Sequence, residues 1–305
     1  MSHEYRYSSK SAERQESPKS EFVAKLETQC ERGNFVCVGL DSDYSQIPEA
    51  AKKLTTEQGS VEWEMFAFNR EIIDATHDLV CAYKPNVAFY EAYGSYGWGA
   101  LKRTIDYIKN VYPEIPVILD AKRADIGNTN LGYVKAVFDE LGADAVTVHP
   151  YFGKEALKPF LDRKDKGVFV LARTSNPGAG EFQDLLLHPP SPEFFGTLPL
   201  YKYVAYKVTT EWNENGNCGV VVGATYPEEL AQIRQIVGDM PILLPGIGAQ
   251  GGEVEATVKA GKDSRGWGMI INSSRGIIFA SKGEDFAQAA RKATESLREE
   301  INRYR

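Results

Sequence analysis

Residues 116–129 read PVILDAKRADIGNT: an aliphatic run, Pro116–Leu119, passes straight into Asp120, Lys122, Arg123 and Asp125. A short continuous apolar run is what a parallel strand covered on both faces looks like in sequence. Asp120 and Lys122 are two apart, so on an extended chain their side chains leave the same face. Gly127–Leu141 then takes up a helical pattern. This is a βα unit whose polar groups collect at the carboxyl end of the strand.

The same alternation extends in both directions. Strands are expected at Asn34–Leu40, Leu79–Lys84, Pro116–Lys122, Asp144–Pro150, Gly167–Arg173, Cys218–Ala224, Pro241–Ile247 and Gly268–Ser274. Between them lie amphipathic stretches such as Val61–His77, Pro227–Val237 and Gly252–Ala260, and Gly283–Arg305 reads as a charged C-terminal helix. Eight strands alternating with helices imply an α/β fold, a single-domain (β/α)8 TIM barrel. The chain of 305 residues suits one such barrel with insertions. The domain is expected over 21–305, behind a polar, flexible N-terminal leader at 1–20 that has no apolar signal core. One connection is too long for a plain βα unit. After Arg173 the chain carries NPGAGEFQDLLLHPPSPEFFGTLPL before a helical stretch at Tyr201–Asn215. Such an insertion after strand five is either a binding lid or a tolerated surface excursion.

Thirty-five basic against 42 acidic residues leave a net charge of −7, which argues against a nucleic-acid or anionic membrane surface. No apolar run approaches the ~20 residues of a membrane span. Cys30, Cys37, Cys81 and Cys218 form no CxxC or zinc spacing; Cys37, Cys81 and Cys218 lie in apolar strand-like runs and read as buried thiols, which suits a reducing cytoplasm.

In a barrel of this kind the reacting groups sit at the carboxyl ends of the strands. Those ends supply Asp41; Lys84 and Asn86; Asp120, Lys122 and, in the following loop, Asp125 and Thr129; His149; Arg173 and Ser175; Gln250 behind Gly246 and Gly248; and Arg275. Lys84 on the neighbouring strand faces Asp120 and Lys122 if the register agrees, and Asp125 completes an alternating lysine–aspartate array. In a water-poor pocket opposite charges keep one another ionised. The plainer alternative is a structural ion-pair cluster closing the barrel mouth. Glycines 246, 248, 251 and 252 and the helix start near Gly252 offer backbone N–H groups to an anion, and Arg275 adds a bidentate donor. Together they form a candidate phosphate site. His149 reads better as a wall residue than as a catalyst. The aromatics Phe89, Tyr90, Tyr93, Tyr96 and Trp98 read as packing, and the charges of Arg291–Arg305 as a solvated helix face.

The run Asp120-Ala121-Lys122-Arg123-Ala124-Asp125-Ile126-Gly127-Asn128-Thr129 resembles the D-x-K-x-x-D-I-x-x-T signature of orotidine 5′-phosphate decarboxylases. VGLDSD, AYKPNVAFYEAYG, VTVHPYFG, LARTSNPGAGEFQDL, VVVGATYPEEL, PGIGAQGG and INSSRGIIFAS are similar, in the same order, to the longer bacterial-type branch of that family. The resemblance covers about Phe35 to Ser281. It implies a cofactor-free carboxy-lyase that converts orotidine monophosphate to UMP and CO₂ in pyrimidine synthesis. Lys122 would then protonate C6, and Asp120 would lie against the departing carboxylate. Lys84 and Asp125 would complete a charged tetrad, and Asp41 and Lys84 would meet the ribose hydroxyls. Ser175 would read the pyrimidine edge, and Gln250 and Arg275 would hold the phosphate. The resemblance also implies a homodimer in which Asp125 and Thr129 serve the partner's site. The neighbouring alternatives are Mg²⁺-dependent sugar-phosphate enzymes with a similar D-x-K-x-x-D barrel, a Schiff-base aldolase using Lys84, and a non-catalytic nucleotide-binding barrel.

Overall fold

The computed structural model describes residues 19–188, 196–224, 226–247 and 254–305. Eight parallel strands follow one another round a barrel: β1 (Val36–Leu40), β2 (Val80–Pro85), β3 (Ile118–Arg123), β4 (Ala145–Val148), β5 (Gly167–Arg173), β6 (Cys218–Val222), β7 (Ile242–Pro245) and β8 (Met269–Ser273). β8 pairs back onto β1 through Val36 and Ile271. The remaining seam, β2 against β3, is bridged at Tyr83–Val117 and Asn86–Asp120. The expected (β/α)8 barrel is what forms. β1 and β2 are buried along their whole length, as the unbroken aliphatic runs require of strands sandwiched between barrel interior and outer helices.

Helices Val61–Thr76, Gly94–Val111 and Phe286–Tyr304 pack side by side on the outside. Two others, Gly127–Val134 and Leu200–Lys207, run on into π-helical turns at Lys135–Glu140 and Val208–Trp212. The aromatics after β2 do pack: Tyr90 is fully buried, and Phe89, Tyr93 and Trp98 lie against the core, while Tyr96 faces outward.

The floor of the barrel is covered by a helix at Glu21–Glu31, capped by the Ser20 hydroxyl on the Val23 N–H. Phe22 meets Phe169 edge to face at 5.6 Å. Gly167 makes room for it, since a Cβ there would lie 2.5 Å from the Phe22 ring. Asp144, just ahead of β4, accepts from the Val117 N–H and pairs with Lys109 and Lys25. Charges at this end therefore staple the elements together and leave the other end for chemistry.

The C-terminal helix corrects one expectation. Its basic residues are not merely solvated, because Arg291 forks onto Asp78 at 2.7 and 2.9 Å and also reaches the Ala75 carbonyl. Arg298 donates to Asn34 Oδ1 and the Arg32 carbonyl, and Asn302 to the Gly33 carbonyl. These donors tie the end of the chain to the loops that feed β1 and β2. Charge periodicity alone does not separate a guanidinium facing water from one facing an uncapped carbonyl. Residues 1–18 of the expected leader lie outside the described residues. No helix among the described residues is long and apolar enough to cross a membrane. All four cysteines are free and buried.

Candidate active site

At the carboxyl ends of β1, β2 and β3 the expected charges converge. The β2–β3 seam sets Lys84 one pleat below Asp120, and the lysine side chain extends upward to place Nζ 3.1 Å from Asp120 Oδ2. Lys122 Nζ lies 2.6 Å from the other carboxylate oxygen, Oδ1. Asp41, just past β1, contributes an oxygen 3.7 Å from Lys84 Nζ. Asp120 therefore sits between two ammonium groups, and Lys84 sits between two carboxylates.

Burial by itself penalises the charged form of Asp120, but Lys84 and Lys122 outweigh it and hold the carboxyl well below the usual carboxylate range. Burial likewise opposes the Lys84 ammonium, and Asp120 and Asp41 more than compensate, so its affinity for the proton rises. The two lysines differ in access: the Lys84 side chain is 3% exposed and that of Lys122 is 50%. Lys84 is locked within the array, whereas Lys122 has a free flank from which to meet a ligand.

The Asp120–Lys122 contact does not come from a regular pleat. β3 and β4 pair normally at Ile118–Ala145 and Leu119–Val146, then slip, so that the next pair is Arg123–Val148. Three residues of β3 thus oppose Thr147 alone, in a bulge. Within it Lys122 has φ +45°, and it is the one non-glycine residue at positive φ among the described residues. Such a conformation costs of order 1–3 kcal/mol and persists where surroundings enforce it. The enforcing group is Thr147, whose hydroxyl accepts from the N–H groups of Ala121 (3.1 Å) and Lys122 (2.9 Å) and lies 2.9 Å from Asp120 Oδ1. The sequence reading passed over Thr147. Its signal was a hydroxyl at the centre of the aliphatic strand AVTV.

β1 and β8 meet closely at the same end. A Cβ on Gly39 would fall 1.9 Å from Ser274 Oγ, so glycine is needed for Ser274 and Asn272 to line the mouth. Asp41 Oδ1 and Asn272 Oδ1 are buried acceptors to which no described residue donates a hydrogen bond. Arg275 opens a short helix, Arg275–Ile278, immediately after β8, is exposed, and forms no ion pair with any described residue.

Asp125 and Thr129 lie apart from the array. Asp125 is turned into its own loop, where Oδ1 accepts the Ile126 N–H at 2.6 Å and its carbonyl accepts from Asn130. Within 4.0 Å it pairs with neither Lys84 nor Lys122, and Thr129 is exposed. One chain therefore assembles three of the four expected charges, Lys84, Asp120 and Lys122, with Asp41 as a further carboxylate.

Ser175 follows β5 and packs beside the end of β6, 2.8 Å from where a Gly223 Cβ would lie. Its neighbours bind the insertion to the barrel. Arg173 is buried, pairs with Asp184 at 2.9 Å and stands over the Tyr226 and Tyr201 rings. Thr174 exchanges hydrogen bonds with Gln183 through its N–H and its hydroxyl. The His149 ring rests against Phe152, consistent with a wall residue. Gln250, with Gly248, Gly251 and Gly252, lies outside the described residues.

A parallel barrel with a lysine–aspartate–lysine cluster, buried at Lys84 and Asp120 and half open at Lys122, at the carboxyl ends of its strands defines the class: a (β/α)8 barrel enzyme. The family model for "Orotidine 5'-phosphate decarboxylase / HUMPS family" matches residues 34–293, and the chain belongs to that family. It is 49% identical over 282 residues to the orotidine 5′-phosphate decarboxylase of Cellvibrio japonicus, covering 92% of this chain and 98% of that one. Among solved structures it is similar to Leishmania donovani OMP decarboxylase, with TM-score 0.73 and 36% identity over 91% of this chain and 98% of that one. It also matches L. donovani UMP synthase, with TM-score 0.78 and 39% identity over 94% of this chain, but spans 56% of that longer protein.

The depressed Asp120 carboxyl carries a pH signature. A group with a lowered folded pKa contributes stability above its unfolded value and loses it as pH falls toward the folded one. Asp120→Asn should cost roughly 3 kcal/mol near neutral pH by leaving buried ammonium charge under-compensated. That gap from wild type should then narrow as pH falls below about 4. Urea unfolding across this range checks it, and a gap constant down to acid unfolding would contradict the assigned ion pairing.

Proposed function

We propose that this chain is a carboxy-lyase that converts orotidine 5′-phosphate to UMP and CO₂ in pyrimidine synthesis, using its own side chains and no cofactor. The observation that carries this is Lys122: its ammonium is held 2.6 Å from Asp120 while half its side chain remains open to a ligand.

Cleavage of the bond between C6 and the carboxylate leaves the electron pair on C6, where no adjacent carbonyl delocalises it as an enolate. A preorganised positive charge beside that carbon lowers the barrier because it needs no reorientation as charge develops. The Lys122 ammonium supplies the charge and then the proton, forming the C6–H bond of UMP as CO₂ leaves. The resulting neutral amine regains a proton from water once the product departs. Asp120 aims the ammonium and lies against the substrate carboxylate. Its repulsion there raises the ground state, and the larger share is assigned to stabilisation of the developing carbanion.

The remaining roles follow the shape of the mouth. Asp41, with its buried acceptor, and Lys84 take the ribose hydroxyls, and Ser175 meets the pyrimidine edge. Arg275, whose guanidinium pairs with no carboxylate among the described residues, clamps the phosphate together with Gln250. Phosphate binding, remote from C6, supplies energy for orientation, and the 174–198 insertion, of which residues 189–195 lie outside the described residues, is the segment assigned to close over the site. Asp125 and Thr129 act on the partner's site in a homodimer. Exposed apolar side chains on their own loop and helix and on the loop after β4, Ile126, Leu131, Tyr151 and Phe152, support a second copy covering this face. Four free thiols fit a cytoplasmic setting.

A Schiff base on Lys84 is disfavoured, since a buried amine paired to two carboxylates is held as the non-nucleophilic ammonium. The Mg²⁺-dependent relatives are separated by assay. Purified protein should bleach the absorbance of orotidine 5′-phosphate with an undiminished rate in EDTA; loss of the activity on chelation would overturn the cofactor-free reading. Mixing inactive Lys122→Ala and Asp125→Ala subunits should restore part of the wild-type rate, because one hybrid site then has both groups intact. Mixed subunits as inactive as their parents would place Asp125 outside the partner's site.

A further inference from the structure

We infer that Thr147 is a positioning residue for the decarboxylation, the group that sets the aim of Lys122 and Asp120 together; this rests on the reading of Lys122 as the proton donor. The bulge in β3 takes the N–H groups of Ala121 and Lys122 off the ladder with β4. Buried donors without partners are costly, so something must accept them. A threonine hydroxyl has one proton and two lone pairs. At Thr147 all three are matched: the lone pairs take the two N–H groups, and the proton goes to Asp120 Oδ1.

This leaves no spare capacity and no alternative donor arrangement, because each partner accepts or donates in one sense only. Ala121 and Lys122 offer N–H, so Thr147 must accept from them; Asp120 is ionised, so Thr147 must donate to it. The hydroxyl thereby couples two things that reach the chemistry separately. It holds the Lys122 backbone at φ +45°, which sets where the side chain departs, and it fixes the carboxylate that receives the Lys122 ammonium. Thr147 is 1% exposed, and among the described residues its hydroxyl bonds to Ala121, Lys122 and Asp120 and not to Asp41, Lys84 or Arg275, so its removal should leave the ribose and Arg275 contacts in place.

Valine has nearly the shape of threonine without the hydroxyl. In Thr147→Val the two N–H groups and Asp120 Oδ1 lose their common partner, the bulge relaxes, and Lys122 moves off line. A displacement of about 1 Å from attack geometry costs on the order of a hundredfold. The expected result with orotidine 5′-phosphate is a kcat lowered by about that factor with KM little changed, and a Thr147→Ser variant, which keeps the hydroxyl, within a few-fold of wild type. If the valine variant does not fold, Thr147→Ala carries the same expectation. A valine or alanine variant with wild-type kcat, or a folded serine variant as impaired as valine, overturns the inference. A wild-type protein that releases no CO₂ would instead strike the substrate assignment. The positioning claim would then be decided by a crystal structure of Thr147→Val: Lys122 leaving positive φ upholds it, and an unchanged bulge overturns it.

Discussion

A carboxylate held between two ammonium groups organises the mouth of this barrel. Asp120 is buried, and an isolated charge there would be untenable; it survives because Lys84 stands at 3.1 Å and Lys122 at 2.6 Å. The dependence is mutual. Lys84 stays charged because Asp120 and Asp41 face it, and Lys122 keeps its place because Asp120 receives it. The end of β1 supplies Asp41, β2 supplies Lys84 and β3 supplies Asp120 and Lys122, so the array exists only when the β1–β2–β3 register is right. In turn, the seam between β2 and β3, joined by two bridges, has these ion pairs across its upper end.

The array also explains why the local backbone departs from ideal geometry where it does. A regular strand would put Asp120 and Lys122 side by side without fixing how they approach each other. The bulge rotates Lys122 into a conformation non-glycine residues avoid, and the ladder bonds it gives up are recovered through one side chain of β4. Local strain, a buried ion pair and a half-open lysine are consequences of one design, in which positive charge is stationed beside the site before any ligand arrives. The opposite end carries charges of another kind. Asp144 with Lys25 and Lys109 closes the floor, and Arg291 and Arg298 dock the last helix.

Much of this was legible in sequence, for identifiable reasons. Nearly continuous apolar runs marked most of the strands, because parallel strands buried on both faces leave little alternation to misread. Lys84, Asp120 and Lys122 were placed together because strand ends in a barrel share one face, and Asp41 joined them on the same argument. Asp125 was not brought to them within a single chain, since a loop residue has no register to fix its direction. Thr147 escaped because a lone hydroxyl in a core strand looks like packing until a bulge opposite creates N–H groups for it to accept. The docking role of Arg291 and Arg298 was missed for a similar reason: their acceptors lie in loops more than 200 residues away in sequence.

The central claim is that the Lys122 ammonium, aimed by Asp120, delivers the proton that replaces the carboxyl group. Steady-state turnover of orotidine 5′-phosphate by Lys122→Ala, measured beside the affinity of the same variant for UMP, tests this most directly. The account requires turnover to fall by at least about a thousandfold while UMP still binds. An alanine variant that turns over at close to the wild-type rate would contradict it.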